Sequence, residues 1–475
     1  MQKYVISLKF KKNRKDLRTF QVNVAVNGQF EHNESIKNSI FVFMKQVDRT
    51  IAPEVTEYGH LEFPRPTETT VGGCGGGEVR IMSLNRCPEP VSRVTVVWPT
   101  GLMDCDRLPI ASIAPAALRE GTSLRSASEI SSALESNGAW LAAETVQEYT
   151  LLHLYALNRR LRPVLDVLHE IIADPVFPTD RIDALRLRHA EAARQNQCKV
   201  AFVADRELRP LMTGKNHRRS RVSTPEEILS TDSDDVRCYW EMLKKDCVPT
   251  VWIAGNVTDD VMNSVSEFAS GLAAAETGKN NITVKTEYSA EEKSCIVTGI
   301  EDARQAAVAM GMTVPDVSHR DHILLRMAVS ALGGYFGSRL NANIREDKGL
   351  TYGIGASVRM SPQGAYLFIQ AQADESYIDQ VIEETANEMR GLWKIRMNDH
   401  ELLAVRRNQQ MRLAGMLDSP FATLDYCLAM QQTGAGIDFF DRTQDALDFS
   451  ANDIARVAEL YLNPDKLSVS IARKL

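Results

Sequence analysis

Apolar and polar positions alternate along this chain with two periods, two residues and about 3.6, and the two periods recur in the same order twice. A β-rich run at Arg93–Trp98 leads through Gly101 and a charged stretch to the apolar segment Leu108–Leu118, which predicts a buried helix. The second half offers Ala306–Val314, a charged stretch and then Ile323–Leu332. The alternating segment Tyr149–Leu157 is matched by Ala365–Ala371, and each is followed by an amphipathic helix. Val164, Leu165, Leu168, Ile171 and Ile172 share one helical face in the first half, as do Ile378, Ile382 and Met389 in the second. Leu185–Gly214 predicts two helices ending in Leu-Met-Thr-Gly, and Leu403–Gly434 ends in Gln-Gln-Thr-Gly. Asp235–Gly255 and Asp453–Ala472 each begin acidic, continue at helical spacing and finish in a β-branched strand. A period of about 200 residues is too long for a solenoid. It implies an internal duplication: two homologous α+β domains, each a mostly antiparallel sheet packed with helices.

Local signals refine this outline. Ser126 and Glu129 form a capping-box pattern, and Asn137-Gly138 is a stop, so a short helix lies between them. Residues 1–50 stand apart. Tyr4, Ile6, Leu8 and Phe10 alternate with polar neighbours, and Phe20, Val22 and Val24 precede the turn pair Asn27-Gly28. That pattern suits either a small appended β unit or an extension with little structure of its own.

The segment Leu332–Gly355 reads LGGYFGSRLNANIREDKGLTYGIG. Its glycines permit close backbone approach or unusual φ angles. Arg339–Asp347 suits a short helix ending at Gly349, with a strand from about Leu350. Arg345 and Tyr352 then lie on either side of a tight turn, and both donate hydrogen bonds of the kind that grasp a peptide carbonyl gaining charge. An ion pair between Arg345 and a neighbouring carboxylate, with Tyr352 in the core, is the alternative. The segment closely resembles the C-terminal motif of the pitrilysin/insulinase family of zinc peptidases, the inverzincins: a Gly-rich turn, then S-R-L, R-E, G-L and Y at fixed offsets. The resemblance covers about residues 50–475 and implies the two-domain fold of that family. It also implies that Arg345 and Tyr352 contact substrate at a zinc site.

In that family the metal site is H-x-x-E-H on a helix of the N-terminal domain, with a Glu from a later helix. Aligned on Glu120-Gly121-Thr122, the motif falls at Ser112–Ala116. Ser112 and Ala116 occupy the two His positions and Pro115 that of the general base, so these three can neither bind zinc nor activate water. The later ligand falls near Glu191-Ala192. No other His pattern replaces the motif. His169-Glu170 begins H-E-x-x-H, but Ala173 stands at the second His, and a solvent-exposed place on the helix is expected. His319 and His322 suit a loop or helix start, His153 a packed or edge strand position, and His217 a solvated basic loop.

The resemblance therefore implies the non-metal, degenerate subunit type, similar to bacterial processing-peptidase-like proteins. Residues 51–275 would form the N-terminal domain with the degenerate motif, 276–292 a linker, and 293–475 the C-terminal domain carrying the Arg/Tyr motif. Such a chain binds no metal itself. It pairs with a zinc-motif homologue as a heterodimer, with zinc in the partner, and acts on unfolded peptides. A catalytically inactive scaffold or peptide-binding homologue is the alternative.

Composition narrows the surroundings. With a net charge of −7 over 475 residues, no global attraction to nucleic acid arises. No run approaches the roughly 18 apolar residues of a membrane span. The basic N-terminus lacks the apolar stretch of a secretory signal. The eight cysteines are scattered without a C-x-x-C pair and read as reduced thiols, so a cytoplasmic location is expected. The run Gly72–Gly77 has no G-K-[ST] ending and is expected to be a flexible turn rather than a phosphate loop.

Overall fold

The computed structural model describes residues 5–9, 21–26, 29–30, 59–274, 278–279, 287–291 and 293–475. The chain divides into two compact units, Met1–Glu57 and Tyr58–Leu475. In the first, β1 (Val5–Lys9) pairs antiparallel with β2 (Gln21–Val26), which pairs with β3 (Gln29–Phe30). The expected turn pair Asn27-Gly28 lies outside the described residues. So does most of the expected linker 276–292.

The second unit contains two sheets with one topology. The first comprises β4 (Thr67–Gly72), β5 (Glu78–Asn85), β6 (Val91–Trp98), β7 (Trp140–Thr145), β8 (Thr150–Leu157) and β9 (Thr250–Gly255), in the spatial order β4-β5-β9-β6-β8-β7. The second comprises β10 (Cys295–Ile300), β11 (Ala306–Val314), β12 (Thr351–Ser361), β13 (Gly364–Ala373) and β14 (Ser468–Lys474), in the order β10-β14-β11-β13-β12. Set aside the added strand β4, and the two orders superimpose. Each sheet has one parallel pair, β5 with β9 and β10 with β14, and is otherwise antiparallel. The duplication read from hydrophobic period is thus a duplication of topology. The Gly72–Gly77 run forms the turn between β4 and β5, as expected.

The helices follow in the same register. In the first half they are α1 (Leu108–Ala117), α2 (Ala127–Glu135), α3 (Leu161–Ala173), α4 (Thr179–Gln197), α5 (Val200–Thr213), α6 (Ser233–Asp246) and α7 (Asp259–Ser270). In the second they are α8 (His322–Val329), α9 (Ile378–Lys394), α10 (Asp399–Gly415), α11 (Pro420–Thr433) and α12 (Ala451–Tyr461). The capping box at Ser126 and Glu129 is formed, and Gly138 follows α2 with φ +64°. Val164, Leu165, Leu168, Ile171 and Ile172 are all buried on α3.

Both faces of each sheet are covered, but by helices of different origin. Alternate residues of β6, Val94, Val96 and Trp98, join the core built with α1, α3 and α6. Val97 and the neighbouring Leu84, Leu151 and Trp252 share a second core with Leu424, Cys427 and Leu428 of α11, from the other half. The exchange is reciprocal. Val203, Ala204, Leu208, Leu211 and Met212 of α5 pack on Ala307, Ala309, Tyr366, Phe368 and Ala472 of the second sheet. Each such large apolar side chain contributes about 1.5–3 kcal/mol on full burial. An ion pair accompanies each exchange, from different strands of the two sheets: Arg93 of the central strand β6 donates to Asp425 of α11 at 2.6 Å, and Arg359 of the edge strand β12 donates to Asp205 of α5. Both aspartates are the sixth residue of their helices.

The second sheet admits α5 because its facing positions on β11 and β14, Ala307, Ala309, Gly311 and Ala472, are small. A Cβ built on Gly311 would lie 2.8 Å from the Met212 sulfur and 2.9 Å from the Leu367 carbonyl oxygen. Gly311→Val is expected to destabilise the chain by about 1–3 kcal/mol, read as a lower urea midpoint, and to make α5 more accessible to protease. A second expectation concerns His322, fully buried at the start of α8 with Nδ1 2.8 Å from the Pro315 carbonyl oxygen. Burial holds its imidazole down to about 4 from an ordinary 6.5. Between those values the unfolded chain takes up a proton that the folded chain refuses, so stability falls as pH drops through that window, by on the order of 3 kcal/mol. Urea midpoints at pH 7 and pH 4.5 measure this, and His322→Gln should flatten the difference.

Candidate functional site

Two places carry the chemistry read from the sequence, one in each half. In the first, α1 presents LPIASIAPAA. Ser112 and Ala116 lie four residues apart on one helical face and are half-buried, while Pro115 is buried inside the helix. Proline lacks the N–H that would reach the Ala111 carbonyl. The Thr145 hydroxyl of β7 donates to that carbonyl instead, at 2.7 Å, so the interior proline leaves no orphaned acceptor. The Ser112 hydroxyl turns back to the Leu108 carbonyl at 3.3 Å. Ser112 and Ala192 line one cavity of about 910 Å³ between α1, α4 and α5. Glu191 points elsewhere: it is exposed, 3.6 Å from Arg194 and accepting from Gln195.

These residues do not fit a zinc ion. A serine hydroxyl bonded to its own helix, a proline and an alanine supply no imidazole or carboxylate, and a metal of this type needs three or four such donors. Among the described residues no three His, Cys, Asp or Glu side chains come together in a metal-holding group.

His153, His169 and His217 are held by packing and hydrogen bonds. His153 is buried, with Nδ1 3.0 Å from Thr95 Oγ1 and Nε2 3.1 Å from Glu144. His169 departs from the solvent-exposed place expected of it: it is half-buried, and Nε2 lies 3.0 Å from the Gly271 carbonyl, because α7 returns beside α3. Glu170 is drawn in likewise by Thr122 and Arg125. His217 also departs from expectation. The basic loop folds inward, so that His217 is buried edge-on against Tyr288 and accepts from the Arg219 amide. Arg219 in turn pairs with the buried Glu148, whose carboxyl burial pushes up against the pull of that guanidinium.

The second place is the turn between α8 and β12. After Val329 the helix widens through Ser330–Gly334 and ends in a kink at Gly333. A Cβ there would sit 2.7 Å from the Ala356 Cβ, so only glycine lets the helix end meet β12. A second wide helical turn spans Asn341–Asp347. Arg339 anchors it to Glu401 of α10 at 2.6 Å, and Asn341 Nδ2 donates to the Ile354 carbonyl at 3.0 Å. Gly349, at φ +63°, closes the turn and Thr351 begins the strand.

Arg345 is half-buried on this turn, its guanidinium 4.3 Å over the exposed Phe336 ring. Among the described residues it has no carboxylate partner. Tyr352 occupies an irregularity in the β12–β13 ladder between Thr351 and Gly353, and is 90% exposed. A bulge of this kind re-aims a side chain away from the sheet. The two residues flank one turn with free donors, but among the described residues no hydrogen bond or ring stacking joins them. Sequence reasoning missed two partners: Phe336, which holds Arg345, and Thr145, which satisfies the α1 carbonyl. Two residues before S-R-L, Phe336 could have been marked as an aromatic inside a turn, whereas Thr145 was visible only in three dimensions.

With this geometry in place, comparison with known proteins places the chain. Residues 81–244 match the family model described as insulinase (peptidase family M16), and residues 231–409 match the one described as peptidase M16 inactive domain. The chain belongs to the insulinase-like M16 peptidase family. It is 26% identical over 238 residues to the uncharacterized zinc protease YmxG of Bacillus subtilis, covering 50% of this chain and 56% of that protein. An uncharacterized zinc protease of Mycobacterium leprae is 24% identical over 255 residues, covering 54% of this chain and 57% of its own length. The match thus spans little more than half of these relatives. Among solved structures, the M16 inactive domain from Pseudomonas fluorescens superposes with a TM-score of 0.73 at 17% identity, over 86% of this chain and 98% of its own. The periplasmic protease PqqL of Escherichia coli superposes with a TM-score of 0.69 at 13% identity, over 90% of this chain and 49% of its own. These likenesses concern the fold. Among the described residues no helix is long and apolar enough to cross a membrane.

The donor set yields one expectation. The purified chain, dialysed against zinc-containing buffer, should carry well under one zinc per molecule by elemental analysis. Ser112→Ala should leave that content unchanged.

Proposed function

We propose that this chain is the non-metal subunit of a two-chain zinc peptidase acting on unstructured peptides. The observation that carries the reading is an asymmetry. The Arg345/Tyr352 turn is fully built with both donors free, while Ser112, Pro115 and Ala116 offer a metal nothing. Arg345 and Tyr352 would donate hydrogen bonds to a peptide carbonyl oxygen as it gains charge, where positioned donors act most strongly. Phe336 would hold the guanidinium in place by stacking. The zinc and the general base would come from a homologous partner that keeps H-x-x-E-H. The zinc-protease names of the relatives support peptide hydrolysis as the chemistry. Eight unpaired cysteines support a reducing, cytoplasmic setting. Residues 51–275 and 293–475 would be the two family domains, joined by 276–292.

The test is to co-purify the chain with a zinc-motif homologue from the same genome and follow hydrolysis of an unstructured peptide. The mixture should be active and this chain alone inactive. Arg345→Ala in this chain should lower kcat/KM by about 100-fold or more, and Tyr352→Phe by about 10-fold or more, with zinc content unchanged. Chelator-sensitive hydrolysis by the isolated chain would overturn the proposal. Failure of any zinc-bearing homologue to associate would favour an inactive scaffold.

A further inference from the structure

The cavity beside Ser112 is one-sided in its charge. At about 910 Å³ it falls at the upper end of ligand pockets. Arg188 and His189 from α4, Arg206 and Arg209 from α5, and Arg221 from the following loop line it, and no aspartate or glutamate does. The nearby carboxylates cancel only part of this charge. Arg206 is matched by Glu207, with Nε at 2.8 Å. Arg209 shares Asp205 with Arg359, two guanidiniums for one carboxylate. Arg221 donates to the Cys105 and Asp106 carbonyls, while the Asp106 carboxylate is taken by Arg218 at 2.6 Å. Arg188 has no hydrogen bond or ion pair among the described residues. The lining therefore holds an excess of about three positive charges in a recess, in a chain whose net charge is −7. Such concentration focuses field and draws anions.

The shape narrows the class of anion. The guanidiniums are spread over three elements instead of converging on one point, and apolar side chains such as Leu108, Phe202 and Ile228 lie between them. A lone oxyanion would meet one of these groups and leave most of the space unfilled. Planar, forked guanidiniums suit carboxylates placed along an extended chain, with apolar contacts between. Where the family resemblance calls for a bound cation, this chain has placed fixed cations of its own.

We propose that this cavity is a binding site for acidic segments of unfolded peptide, with Arg188 and Arg221 as the principal carboxylate partners. The proposal rests on the reading that the chain handles unstructured peptide, and it names which peptides are held. It does not depend on hydrolysis, so its test uses this chain without a partner. Fluorescence anisotropy would follow a labelled peptide bearing several glutamates, its glutamine counterpart, and inorganic phosphate as competitor. The acidic peptide should bind at least 10-fold more tightly than the glutamine peptide, and binding should weaken as salt rises. The double substitution Arg188→Gln with Arg221→Gln should erase that preference. Because Arg221 also bonds backbone, Arg188→Glu alone provides a second variant, expected to weaken acidic-peptide binding at least 5-fold with an unchanged melting temperature.

Equal affinity for the two peptides would overturn the proposal, as would binding that neither variant alters. Complete displacement of the acidic peptide by inorganic phosphate at concentrations no higher than the peptide itself needs to bind would point to a small oxyanion and also overturn it. Hydrolysis of neutral peptides in the two-chain mixture, alongside any of these results, would leave the divided-enzyme reading standing while this one falls.

Discussion

The exchange of helices between the two halves is the constraint on which the rest of this structure depends. Each sheet has its own helices on one face and a helix of the other half on the second, α11 on the first sheet and α5 on the second. Neither sheet could leave that second face to water, because β6 and β11 are buried almost throughout their lengths. An ion pair ties down each exchanged helix, Arg93 to Asp425 on α11 and Arg359 to Asp205 on α5. Removing one helix would strip apolar cover from the opposite half, so the two domains form one unit. The small residues Ala307, Ala309, Gly311 and Ala472 are the consequence at the sequence level: a helix can lie close to a sheet only where side chains are short.

Both candidate sites depend on that arrangement. Helix α5 contributes Arg206 and Arg209 to the basic cavity on one side while its apolar side holds the second sheet. Asp205, just before Arg206 on the same helix, reaches Arg359 on β12, the strand that begins beside Tyr352. The degenerate helix α1 remains a sound structural element, since Thr145 replaces the hydrogen bond that Pro115 removes. The helix packs normally while presenting no metal ligand to the cavity. The Arg345/Tyr352 turn, by contrast, keeps features that packing alone does not require. An aromatic at 90% exposure on a ladder irregularity costs hydrophobic burial without any structural return in this chain.

Much of this was legible in the sequence, and some of it was not. The duplicated order of strands and helices was readable because burial imposes its period on every element: two for strands, 3.6 for helices. That Ser112, Pro115 and Ala116 supply no imidazole or carboxylate needed only the residue types. The glycines, Arg345 and Tyr352 were likewise visible by spacing. What spacing does not encode is which strand residue a bulge turns outward, which ring a guanidinium settles on, or which way a basic loop folds. Tyr352 projects because pairing slips between Thr351 and Gly353, and Arg345 is held by Phe336. His217 is buried because Tyr288, from far along the chain, lies against it. The basic cavity is the strongest case. Arg188, Arg206 and Arg221 are well separated along the chain, and only the convergence of α4, α5 and the next loop puts them around one space. Local chemistry is written residue by residue, whereas a site is a coincidence of distant elements, and that coincidence is decided by the packing of one half upon the other.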